Sequence, residues 1–136
     1  MRPFDKTTGD RGATAVEFAL VLPVLLMILM GIVDFGRALN AQVTLTQAVR
    51  EGARLAALKQ PNVVSRTQGA ATGLSGVAVT VTSCPTPPSA SSNASVLASV
   101  TFNFVTPVGA LAGLFGGGGF GAPITLSATG VMPCEA

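Results

Sequence analysis

GATAVEFALVLPVLLMILMGIV, residues 12–33, is the stretch on which the reading of this chain turns. It carries one charge, Glu17, in a run otherwise apolar or neutral. As a helix it rises roughly 33 Å at about 1.5 Å per residue, enough to cross the hydrocarbon core of a bilayer. Arg2, Asp5, Lys6, Asp10 and Arg11 precede it, and Asp34 and Arg37 follow at once. Three readings compete: a membrane span, a signal segment that is removed, or a buried core helix. Pro23 lies in the middle of the run, where a proline deletes one helical hydrogen bond and bends the axis. Arg2, Lys6 and Arg11 outnumber the nearby basic residues on the far side, which favours an N-terminus in the cytoplasm.

The helical pattern does not stop at Asp34. Phe35, Leu39, Val43, Thr46, Val49, Ala53 and Ala56 recur at spacings of four and three, which predicts one apolar stripe on a continuing helix. Pro61 is the first residue that must end it. The expectation is one helix from about Ala13 to Lys59, its first half facing lipid and its second half packing on the rest of the chain. The polar residues 1–11 read as a disordered leader.

Downstream the pattern changes. Residues 62–73 suit a short helix ended by Gly73. Val77, Val79 and Val81 alternate with Ala78, Thr80 and Thr82, and this predicts a strand. Further strands are expected over residues 95–105 and 124–132, with a proline- and serine-rich loop at 84–93. Residues 106–122 read as a loop containing Gly116 to Gly119 in a row. That run is either a flexible linker or, since Leu111, Leu114, Phe115 and Phe120 flank it, a contact surface. Three successive strands suggest a small antiparallel sheet covering the helix stripe, an α+β fold.

The composition removes several functions. The chain of 136 residues has Lys+Arg 8 against Asp+Glu 6, so no electrostatic case for nucleic acid exists. Histidine is absent, and with it the commonest general base and nitrogen metal ligand. Asp5, Asp10, Glu17, Asp34, Glu51 and Glu135 form no recognisable catalytic pair, and the glycine run lacks the lysine of a phosphate loop. No enzyme, metal site or cofactor is expected. Cys84 and Cys134 form one disulfide if their part of the chain lies outside the cytoplasm, or else two buried thiols.

The group Gly12-Ala13-Thr14-Ala15-Val16-Glu17-Phe18 carries the most information. A glycine closes a charged leader, and a lone carboxylate lies five residues on, just inside the apolar run. An acidic side chain in a span is a functional hypothesis by default, and its plain alternative is a carboxylate that snorkels to the headgroups. Arg11 to Leu58, RGATAVEFALVLPVLLMILMGIVDFGRALNAQVTLTQAVREGARLAAL, resembles the TadE-like minor pilins or pseudopilins of the tight-adherence (Flp) pilus system, within the type IV pilin-like superfamily. Leader, glycine, glutamate, apolar run, DFGRA and REGAR occur in order. A looser likeness covers VTFNFVTP and ITLSATGVMPCE in the tail.

The resemblance implies a division into a cytoplasmic leader (1–12), a transmembrane half-helix (13–33), an amphipathic half-helix (34–60) and an extracytoplasmic pilin-like α+β domain (61–136). It implies that a prepilin peptidase cuts between Gly12 and Ala13, making Glu17 residue five of the mature chain. Glu17 and Phe18 would then serve assembly, with Glu17 meeting the new amine of an adjacent subunit. Partners would be the peptidase, other pilins or pseudopilins of the Tad machinery, and the inner membrane, with the C-terminal domain outside and the product in a pilus after assembly. The alternative is a secreted or membrane-anchored envelope protein unrelated to pili, for example one cut near Leu39-Asn40-Ala41.

Overall fold

The computed structural model describes residues 7–87, 91–114, 116–117, 119 and 121–134. In chain order the elements are α1 (Thr7–Ala57), α2 (Val63–Ala70), β1 (Ala78–Thr82), β2 (Asn93–Phe102), α3 (Val108–Leu114) and β3 (Ile124–Pro133). The chain forms two compact units. One takes the N-terminal part as far as Asp34 together with Val105–Gly121, and the other holds Phe35–Phe104 and Ala122–Ala136.

Helix α1 runs without interruption through Pro23. Residues 7–11, expected to be disordered, are helical, because a helix nucleated by the apolar run propagates outward at little cost per residue. The remainder of the expected disordered leader, residues 1–6, lies outside the described residues. At its other end α1 stops at Ala57, two residues before the expected Lys59. The amide of Lys59 donates to the Ala56 carbonyl at 3.1 Å and that of Gln60 to the Leu55 carbonyl at 2.9 Å. Lys59 itself is left-handed at φ 53°. This paired closure satisfies carbonyls that a helix end otherwise leaves orphaned, and Pro61 follows it.

In the unit with the sheet, β2 lies between β1 and β3, antiparallel to both. Alternation along β2 puts Ala94, Val96, Ala98, Val100 and Phe102 on the buried face. The register sets Val79 and Val81 of β1, and Leu126 and Ala128 of β3, beside them. Leu45, Ala48, Val49, Ala53 and Ala56 of α1 join this core, with Ala71, Val77 and Cys84. The other face of the sheet is rich in Thr and Ser, including Thr80, Ser99, Thr101, Thr125 and Thr129, and is largely exposed. The fold is therefore α+β, a long apolar helix whose second half packs on a three-stranded antiparallel sheet.

The buried face of α1 is not the whole expected stripe. Val49, Ala53 and Ala56 are buried as read, but Phe35, Leu39 and Val43 are exposed, Phe35 at 65%. The helix instead turns Ala41, Leu45, Ala48 and Gly52 inward. Apart from Leu45 these are small residues, and the helix and β3 backbones approach closely at Val49 and Arg50. A Cβ at Gly130 of β3 would run into the Val49 carbonyl and sit 3.1 Å from the Arg50 nitrogen. We therefore expect Gly130→Ala to destabilise this unit by about 1–3 kcal/mol, the usual range for overpacking. A denaturation midpoint unchanged from wild type would contradict that closeness.

The expected strand over 95–105 is shifted: β2 begins at Asn93 and ends at Phe102. The amides of Val105 and Thr106 bond to Asp34 rather than to a neighbouring strand. Cys84 follows β1 and Cys134 follows β3, and the two are joined, with Cα atoms 5.8 Å apart. The disulfide thus ties together the exits of the two outer strands, and the Cys134 amide adds a bond to the Ser92 carbonyl at 2.9 Å.

Candidate functional site

Gly12, Ala13, Glu17 and Phe18 all lie on α1 with their surfaces exposed. Ala13 and Glu17 are four residues apart and so share one helix face, about one turn or 6 Å apart along the axis. Phe18 is exposed, as are Val16, Leu20, Val21 and nearly every apolar side chain on to Val33. The most apolar window of α1 has no buried share at all, and α1 is long and apolar enough to cross a membrane. A soluble core helix buries one face, whereas over residues 12–33 Pro23, Met27, Met30 and Gly31 are half-buried and the other residues are exposed.

Among the described residues no ion pair to Glu17 is found. Its carboxylate sits on an apolar stretch of helix, a placement that is costly in lipid. Gly12 has open space around it, since a Cβ there would meet nothing within 4 Å. The fold itself gives no reason for glycine at that position.

Of the other residues singled out from the sequence, Pro23 lies within α1, and Cys84 and Cys134 are bonded at 1.97 Å. The structure adds a residue that the sequence did not mark, Asp34, which is only 1% exposed. Its Oδ1 accepts from the Val105 amide at 3.2 Å and its Oδ2 from the Thr106 amide at 3.2 Å. The Thr106 hydroxyl also donates to Oδ2. A charged acceptor on three donors is a strong clamp, and it fixes the segment before α3 to the last residues of the apolar run. The only sequence signal was a carboxylate placed directly after that run.

Residues 12–54 match the family model described as TadE-like protein. The N-terminal segment is TadE-like. The match takes in Gly12, Glu17, the apolar run, Asp34 and the REGAR segment, and ends before α2 and the sheet. No curated protein and no solved structure matches the chain significantly. The match covers less than half of the chain.

Proposed function

We propose that the chain is a minor pilin or pseudopilin that is cut between Gly12 and Ala13 by a prepilin peptidase and then assembles into, or primes, a tight-adherence pilus. The observation that carries this reading is the TadE-like match beginning at Gly12, on a helix whose most apolar window has no buried residue. Before cleavage the protein is a single-pass component of the bacterial inner membrane. Residues 1–12 are in the cytoplasm, 13–33 span the bilayer, 34–60 form the amphipathic part of the helix, and 61–136 lie outside. After assembly it resides in the pilus. Its activity is structural and serves adhesion, and the peptidase and other pilins of the Tad machinery are its partners.

Two features support the assigned roles. Gly12 meets no packing demand in the folded chain, which is compatible with a role as the residue before the cut. Glu17 lies one turn from Ala13, the residue that cleavage endows with a cationic amine. Within one chain this amine and carboxylate share a face; between chains they pair, and each offsets the other's desolvation only once assembled. Pro23 bends the span and so adjusts how neighbouring helices meet. The oxidising exterior suits the Cys84–Cys134 disulfide.

The test is the N-terminus of the mature protein, read by intact mass in a host that carries the peptidase. The expected start is Ala13, and Gly12→Val leaves the full chain uncut. A start near Gln42 identifies a secreted protein instead, and an uncut Met1 in the wild type ends the processing claim.

A further inference from the structure

We propose that the segment 105–121 is a second membrane contact, lying in the headgroup interface of the bilayer beside the end of the span; this rests on reading residues 13–33 as the span. The argument begins with Asp34. Its buried carboxylate holds the Val105 and Thr106 amides, so this segment starts at the level where the apolar run ends. Val105–Gly121 belongs to the same compact unit as that run. No Asp, Glu, Lys, Arg or His occurs between Arg66 and Glu135, so nothing ionisable in the segment resists burial in lipid. Val105 is 72% and Leu114 79% exposed, large apolar surfaces with no cover in the folded chain. Leu111, Phe115 and Phe120 add to the apolar content of the same sequence.

The occupant follows from position and chemistry. A charge-free apolar surface continuous with a span meets lipid first. The depth follows from the backbone. Helix α3 has seven residues, so its first four amides find no partner within the helix, and beyond it Gly116 and Gly119 are left-handed. Backbone of that kind is excluded from the hydrocarbon core and tolerated where water still reaches. The segment therefore lies at the interface and does not re-enter the bilayer.

The chain contains no Trp and no Tyr, so one introduced tryptophan reports alone. The full-length protein is reconstituted in phosphatidylcholine–phosphatidylglycerol vesicles whose lipids carry bromine either near the headgroup or deep in the acyl chains. Leu114→Trp should show blue-shifted emission and lose more than about half of it to shallow bromines, as interfacial side chains do. Leu22→Trp, in the middle of the span, should be quenched by deep bromines, and Val64→Trp on α2 by neither. Adding Asp34→Ala to Leu114→Trp should reduce the shallow quenching at least about twofold, because the clamp is lost.

Quenching of Leu22→Trp with Leu114→Trp behaving like Val64→Trp overturns the proposal and leaves the span intact. Absence of quenching at Leu22→Trp removes the span and the proposal together. A blue shift at Leu114→Trp that grows with the protein-to-lipid ratio but is not quenched identifies a second copy of the chain as the cover, and also overturns it. Unchanged quenching after Asp34→Ala overturns the part assigned to the clamp.

Discussion

Cys84→Ser lowers the unfolding free energy of the sheet-bearing unit by about 4 kcal/mol, the loop-entropy value for the sequence separation of 50. That is a large share of the stability of a small domain, which is commonly about 5–15 kcal/mol. The core here cannot easily absorb the loss. Ala48, Ala53, Ala56, Ala94 and Ala98 make up much of it, and each buries little apolar area. Cys134→Ser should cost the same, and the double variant no more than either, since all three remove one bond. Urea unfolding followed by far-ultraviolet circular dichroism checks this, with reduced wild type as the control. A double variant twice as destabilised would show that the two sulfurs matter separately, through packing at the buried Cys84.

Glu17→Ala leaves membrane insertion unharmed and lowers pilus number by at least about thirtyfold. Insertion is unharmed because the change removes a costly carboxylate from an apolar helix. On the proposed pairing assembly fails because truncating one partner of a buried charge pair costs about 2–5 kcal/mol, much of it from the charge left behind, which would be the amine of Ala13 on the neighbouring subunit. Glu17→Gln keeps the shape and loses the charge, and should fall between Ala and wild type. Electron-microscopic counts of pili, set against membrane fractionation of each variant, separate insertion from assembly. Normal pilus number in Glu17→Ala would reduce the side chain to one that snorkels to the headgroups.

Much of the fold was legible in the chain because strong patterns wrote it. An apolar run longer than any ordinary core helix, followed by a helical period without proline, is read as one helix. The alternating valines of β1 and the alternating Ala94–Val100 face of β2 are equally direct. The inner face of α1 was half misread for a physical reason. Phe35, Leu39 and Val43 are apolar, which says only that they tolerate cover. Ala41, Ala48 and Gly52 are weakly apolar, yet they are buried, and at Gly52 a Cβ would run into the Thr67 side chain, so close packing there selects a residue without one. Helix α3 was missed since VGALAGL contains two glycines, each costing about 1 kcal/mol against alanine, so local propensity opposes the observed state. The Asp34–Thr106 clamp joins residues 72 apart in sequence, and no local pattern announces such a pair. The Gly12–Phe18 group was visible because its order of residue types is distinctive, and the role proposed for it rests on events outside the single folded chain.

The sheet is fastened at one end and open at the other. The disulfide and the Cys134–Ser92 bond hold the end where Asn93 faces Pro133, while the chain leaves and returns at the opposite end, where Phe102 faces Ile124. A hairpin held this way keeps its register whatever is written between its strands. Doubling the length of that connection adds only about 0.6 kcal/mol of closure entropy. The excursion between β2 and β3 can thus change in length at little cost to the pairing of these strands.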